Sequence, residues 1–348
     1  MTYQCDPNTI SQGLCESINN TVGVEYSQLF TNANASVYIQ MGHLSSAVGH
    51  NDQFYTTVHY SDYYDALKAS ASGVADAQAV ASLPAGGPFA TPINAGYQVA
   101  LTSALDAALG FTGAPGICKP GATNCSATGC ALNSSTSSTC FNALITISDS
   151  KQFYFDDSAS YPAGAYDFFT VVRHETDEVL GTGSCIRSGT LFISSVCLNG
   201  VWGTSAADLF RYVAPGQRGF SIGPLQSVTL SGQSAYFSID GGKKSIAGLS
   251  SSPGGDDYGD LSTVCQHVQD SFGCTNWSNR KDKRGPSLTN DGGAEIAMLD
   301  AIGYQLTDNG RMLSAASSLY TPEPSSIGLV SVGFGLSGAV WRRRKRGC

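Results

Sequence analysis

Residues 174–181 read His-Glu-Thr-Asp-Glu-Val-Leu-Gly, which sets an imidazole and two carboxylates close together in the chain. On a helix, positions i and i+4 stand one turn apart on the same face, so His174 and Glu178 converge with Glu175 beside them. Such a helix offers two ligands to one divalent cation, while the glutamate after the first ligand serves as general base toward water at the ion. The metal-binding helix pattern H-E-x-x-H-x-x-G has a second histidine where this chain has Glu178. Zinc accepts imidazole nitrogen and carboxylate oxygen alike, so His plus Glu is an allowed pair, although the extra negative charge makes the ion a weaker Lewis acid. A solvated acidic helix face is the plainer reading of the same residues.

The elements that must position this segment follow from periodicity. Phe168, Val172 and Val179 form an apolar stripe at helical spacing, with Gly181 and Gly183 as the stop, so a helix is predicted from about Ala165. Before it, residues 22–34 read as the end of an entry helix. Residues 35–42 alternate Val37, Ile39 and Met41 as a strand does. Residues 63–83 suit helices, 97–109 a further helix, and 111–140 a Gly/Ser/Thr/Cys-rich surface insertion. Residues 142–149 read as a strand with 152–156 as its hairpin partner, and as an edge on which an extended peptide could add its backbone. After the motif, 190–196 is strand-like, Asn199-Gly200 a turn, 205–212 a short helical turn, 236–242 a strand entering a turn, and 295–304 a closing helix. The order predicts an α+β architecture with the motif helix under a mixed sheet, followed by an irregular, disulfide-bearing C-terminal half.

The 348 residues are 42% hydrophobic and 13% charged, enough for a sizeable core. Five basic residues crowd into Arg342–Arg346. Residues 1–320 alone carry a net charge of −12, which argues against nucleic acid as a partner of the folded body. Ten of the 11 cysteines fall in local sets: Cys5 with Cys15, then Cys118, Cys125, Cys130 and Cys140, then Cys185 with Cys197, and Cys265 with Cys274. Close pairs in a Gly/Ser/Thr-rich chain suit disulfides in an oxidising compartment. The middle four lack a C-x-x-C knuckle, which ranks a zinc site there below bridges. Met1 leads directly into Thr-Tyr-Gln-Cys-Asp-Pro, where no secretory leader is legible.

From Thr321 the chain runs Thr-Pro-Glu-Pro-Ser-Ser, then an apolar stretch 327–341, then Arg-Arg-Arg-Lys-Arg. Residues 321–348 resemble the PEP-CTERM sorting signal of Gram-negative bacteria. The resemblance implies recognition by an exosortase-type membrane enzyme, with cleavage near Pro322 to Pro324. A transmembrane segment at 327–341 would hold the chain in the inner membrane before processing, with its basic tail on the cytoplasmic side. The body would then be exported, and become cell-surface or extracellular. A plain tail anchor is the alternative.

Residues 1–320, divided at about 20–183 and 184–310, carry a second resemblance. The stretches at 174–181, Asp-Leu-Phe-Arg-Tyr at 208–212, Tyr-Phe-Ser-Ile-Asp-Gly-Gly at 236–242, Gly-Asp-Asp-Tyr-Gly-Asp at 255–260 and Leu-Asp-Ala-Ile-Gly-Tyr at 299–304 are similar to a family of PEP-CTERM-associated zinc metalloproteases with metzincin-like order. The family likeness implies a metzincin-like fold and hydrolysis of polypeptide substrates. Glu175 would be the general base, and His174 and Glu178 zinc ligands. Metzincins place the third ligand three residues after the motif glycine, and here that position is Ser184. Asp208 is the expected substitute, from a turn able to fold back on the helix, with a helix N-cap as its plain reading. The acidic loop of Asp256, Asp257 and Asp260 could equally supply that ligand, or bind calcium. Tyr212 is a candidate to steady the oxyanion by hydrogen bonding. His267 reads as a loop residue between two cysteines. The competing function is a non-catalytic cell-surface or matrix protein with a degraded site.

Overall fold

The computed structural model describes residues 1–85, 98–122, 129–132, 138–155, 164–185, 204–218, 235–250, 257–271, 275 and 285–316. The amino-terminal part contains β1 (Thr2–Cys5), α1 (Gln12–Ile18), a π turn (Asn19–Gly23), α2 (Val24–Leu29), β2 (Ser36–Gly42), β3 (Gly49–Gln53) and β4 (Tyr55–His59). Then come α3 (Tyr60–Ser70), α4 (Val74–Ser82), β5 (Gln98–Thr102), α5 (Ser103–Ala108), β6 (Ile117–Cys118), β7 (Cys140–Phe141), β8 (Ala143–Ser148), β9 (Phe153–Tyr154), β10 (Tyr166–Asp167) and α6 (Phe168–Leu180). Beyond the motif lie β11 (Thr204–Ser205), a 3-10 turn (Ala207–Phe210), β12 (Arg211–Ala214), β13 (Gln217–Arg218), β14 (Ala235–Phe237), β15 (Ala247–Leu249), α7 (Ala294–Ile302) and α8 (Asp308–Leu313).

The central sheet has the order β1-β2-β8-β3, with β1, β2 and β8 parallel and β3 antiparallel to β8. Val37 and Ile39 face the same core as Ala143, Ile145 and Ile147, and all five are fully buried. Each branched side chain withdrawn from water in this way contributes about 1.5–3 kcal/mol. Two expectations fail here. Residues 152–156 are not the partner of β8, because β9 pairs in parallel with β10. Nor is β8 an edge: β2 and β3 cover both its sides, and the edges are β1 and β3, the latter with a sequence, Gly-His-Asn-Asp-Gln, that lacks the branched residues that announce a strand.

A second sheet, β11-β5-β4, accounts for a further departure from the expected elements. Residues 97–109 are not one helix. Val99, Ala100 and Leu101 pair with β4 and β11, and Thr102 ends the strand by capping α5, its hydroxyl accepting from the Leu105 amide at 3.2 Å. The entry helix, capped at Ser11 and interrupted by the π turn, ends at Leu29 and not at about residue 34, because Phe30 is already extended. There Asn19 bonds the backbone of β1, accepting from the Tyr3 amide and donating to the Tyr3 carbonyl. The C-terminal half is more regular than expected, with an antiparallel sheet β13-β12-β14-β15. Its Phe237 and Leu249 belong to the same continuous core as Val37 and Ile145.

Helix α6 is capped by Asp167, whose carboxylate accepts from the Thr170 amide at 2.9 Å, and it stops at Gly181 with φ 110°, a conformation suited to glycine. Ten of its 13 residues are buried; Thr170, His174 and Glu178 remain partly exposed, and they lie at successive i+4 positions. The open stripe of the helix is therefore the stripe that carries the candidate ligands. Disulfides Cys5–Cys15 and Cys130–Cys140 staple β1 to α1 and the insertion to β7, and Cys118, Cys185 and Cys265 are also disulfide-bonded. The segments 190–196 and 199–200 and the stretch 327–341 lie outside the described residues. Among the described residues no helix is long and apolar enough to cross a membrane.

Helices α4 and α7 meet through two acids. Burial, and then a hydrogen bond with Asp76, push the Asp300 carboxyl up to about 9. An unfolded Asp releases its proton near pH 4 while the folded chain holds it, so stability falls as pH rises through the interval between these values. Asp300→Asn keeps a donor toward Asp76 without needing a proton. It is expected to raise the thermal midpoint more at about pH 8 than at about pH 5; an equal shift at both pH values in thermal melts would contradict this.

Candidate metal centre

His174 is oriented before any ion is considered. Its Nδ1 lies 3.1 Å from the Val268 carbonyl oxygen, which makes Nδ1 the protonated nitrogen and leaves the lone pair on Nε2. Nε2 points at Glu178 Oε1, 3.8 Å away, and at Asp260 Oδ1, 3.7 Å away. The ligand atoms of these three residues lie within 4.8 Å of one another. Tetrahedral zinc with bonds of about 2.0–2.2 Å needs ligand atoms roughly 3.3 Å apart, so both carboxylates stand within about half an ångström of that spacing from His174 Nε2. A histidine that ligates a metal usually donates its other ring N–H to a carbonyl or carboxylate, as His174 does toward Val268.

The general-base candidate is held beside this set by β3. Asn51 Nδ2 donates to Glu175 Oε2 at 3.1 Å and also to Glu178 Oε2, while Gln53 Nε2 donates to the Glu178 carbonyl at 3.1 Å. The strand comes this close because position 49 is glycine: a Cβ there would sit 2.3 Å from Glu175 Oε1.

The electrostatics favour a cation. Burial, followed by the Glu178 charge, pushes the Glu175 carboxyl up to about 8. The same two causes push Asp257 up to about 7. Burial opposes protonation of His174, but Glu178 and Glu175 outweigh it and raise the imidazole above its ordinary value. Glu178, Glu175 and Asp260 around one imidazole form an acidic cluster whose mutual repulsion a divalent ion would relieve. The residues present therefore fit zinc.

Asp208 is placed elsewhere. Its Oδ1 accepts from Ser184 Oγ at 2.6 Å, and its Oδ2 from the amides of Cys185 and Ser205 at 3.0 and 3.2 Å. Instead of joining the ligands, this buried carboxylate ties the chain leaving α6 to the turn before β12. The acidic loop supplies the third group, and within it Asp260, not Asp257, faces the histidine; Asp257 accepts from the Ser184 and Gly259 amides. Asp256 lies outside the described residues. Tyr212 is also engaged elsewhere: its hydroxyl accepts from Arg218, whose guanidinium lies 4.7 Å from its ring centroid. Asn51, Gly49 and Val268 escaped the sequence reading because their roles depend on strand register and a backbone carbonyl. Only the acidic loop had a legible signal.

A model of the PEP-CTERM protein-sorting motif matches residues 321–345. That signal is recognised by exosortase-type sorting enzymes and marks the chain for export and sorting to the cell surface. No curated protein and no solved structure matches the chain.

Asp260→Asn is expected to weaken zinc binding at least about 10-fold with little change in melting temperature, as read by competition with a chromophoric chelator. Asp208→Asn, by contrast, is expected to cost about 2–3 kcal/mol of stability and to leave zinc affinity within about threefold of the original. The reverse pattern would return Asp208 to the ligand set.

Proposed function

We infer that the exported body is a zinc-dependent metalloendopeptidase with a metzincin-like arrangement, in which His174, Glu178 and Asp260 hold the ion and Glu175 is the general base. The observation that supports this most is the Val268 carbonyl on His174 Nδ1, which commits Nε2 to the point where the two carboxylates converge. Zinc, when bound, would supply a Lewis acid for the scissile carbonyl and make the attacking water more acidic. The chain's own contribution is proton handling and placement. Glu175 accepts the proton of the water at its carboxylate and passes it to the leaving nitrogen. Asn51 fixes the Glu175 carboxylate, and burial raises its basicity.

The substrate class follows from β3. This edge strand lies against α6, next to Glu175 and Glu178 through Asn51, and its outer backbone pairs with no strand among the described residues. An extended polypeptide adding antiparallel to it would bring a peptide bond alongside the candidate centre. Before processing, the apolar stretch 327–341 would anchor the chain in the inner membrane with the basic cluster inside, and the sorting enzyme would release the body. The alternative, a surface protein with a silent site, is favoured by one contact: the Asn51 amide bridges Glu175 and Glu178 and so steadies both carboxylates without an ion.

With full-length chain produced in an oxidising compartment and loaded with zinc, hydrolysis of an unfolded protein is expected to fall about 10²–10⁴-fold in Glu175→Gln while zinc content is unchanged. Absence of hydrolysis by the zinc-loaded wild type, or equal rates in the two proteins, favours the silent surface protein. Gly49→Ala pushes the Glu175 carboxylate from its place. It is expected to lower kcat about 100-fold with zinc retained, since misplacement by about 1 Å costs that much.

A further inference from the structure

Beyond α6 a second group of ligand-type side chains converges, and no step of the proposed hydrolysis uses it. His267, Asp291 and Glu295 each bring one donor atom to within 4.8 Å of the others. Glu295 lies in the first turn of α7 and Asp291 just ahead of that helix, while His267 belongs to the loop that also carries Val268. The Glu295 side chain is fully buried and that of His267 is 17% exposed.

Most of the cluster's hydrogen-bonding capacity is already used. Asp291 Oδ1 accepts from the Gly293 amide at 3.0 Å and its Oδ2 from the Val268 amide at 3.4 Å. Glu295 Oε1 accepts from the Gln269 amide at 2.9 Å. Two atoms are left, Glu295 Oε2 and His267 Nδ1; they stand 3.9 Å apart, and neither has a hydrogen-bond partner. A buried carboxylate oxygen left without a donor carries its full desolvation penalty, and native proteins rarely tolerate one. In addition, Asp291 and Glu295 each bring a carboxylate oxygen to within 4.8 Å of the other, an approach that a cation between them relieves.

We propose that His267 Nδ1, Glu295 Oε2 and the Asp291 carboxylate bind a second divalent transition-metal ion, of the zinc class, at a site separate from His174, Glu178 and Asp260. The donor chemistry decides the class: an imidazole with two carboxylates suits zinc, whereas calcium takes six to eight oxygens. The site is structural in character, because it joins α7 to the 267–269 segment. That segment supplies the carbonyl on which His174 is oriented, so the second ion stabilises the backbone that aims the first ligand.

The test counts metal in folded, full-length chain after equilibration with zinc and removal of loose ions, using mass spectrometry. Glu295→Gln and His267→Ala are each expected to bind one ion fewer than the wild type, and His174→Ala is expected to keep the ion that Glu295→Gln loses. His267 is the more exposed of the two positions, so its variant carries the test if Glu295→Gln fails to fold. The proposal is overturned if folded His267→Ala or Glu295→Gln binds as many ions as the wild type, or if His174→Ala binds none. Loss of metal in His174→Ala alone would support the first site and reject the second. Metal retained in His174→Ala and lost in His267→Ala would support the second site whatever becomes of the hydrolytic reading.

Discussion

The burial of a charged helix is the constraint on which the rest of the structure depends. Helix α6 carries Arg173, Glu175 and Asp177 in positions almost free of solvent, and each needs a partner to remain there. Glu25 receives the Arg173 guanidinium at 2.6 Å, and the Tyr26 hydroxyl donates to Asp177 at 2.5 Å while also reaching the Arg173 carbonyl. Tyr3 and Thr176 share a hydrogen bond at 2.9 Å. All of these partners come from the first 26 residues. The entry helix and β1 thus set the rotation of α6 about its axis, and that rotation leaves the Thr170–His174–Glu178 stripe as the open face. A buried pair of this kind contributes little net stability against an apolar replacement, but removal of one partner is costly. Its value here is orientation.

The motif was legible because helical periodicity is local: four residues of spacing were enough to place His174 and Glu178 on one face. The third acidic group was not, because it arrives from a loop some eighty residues later, and sequence order cannot rank Asp208 against Asp260. Asp208 was the expected ligand because its turn can fold back on the helix, yet its two oxygens are taken by Ser184, Cys185 and Ser205. Strand β3 was illegible for a different reason. Its polar residues satisfy the demands of the site, with Gly49 admitting Glu175 and Asn51 binding two carboxylates, and those demands override strand propensity. Residues 98–102 were misread because an Ala-rich context favours helix, whereas pairing on both sides makes them a strand.

The cysteines show how the same body tolerates many short elements. Several strands have only two or three residues and could not persist alone. Cys5–Cys15 closes the first strand on its helix, and Cys130–Cys140 closes the insertion beside β7. Each bridge spans a sequence separation of 10, which limits the freedom of the unfolded chain where a sheet is weakest. Export, for which the sorting motif at 321–345 marks the chain, takes these bridges where disulfides persist.

The sheet order has a consequence for the time course of folding. Strands β2 and β3 follow each other in the chain but are not neighbours; the gap between them is filled by β8, about a hundred residues later. Until β8 has arrived, β3 has no partner in the central sheet, and Asn51 has no fixed position from which to reach α6. His174 waits longer still, for the carbonyl of Val268. A chain that emerges from its amino terminus therefore assembles this centre among its last events, after both the sheet and the loop before α7 have docked. The geometry of the candidate centre is thus a property of the closed fold and not of any one local segment.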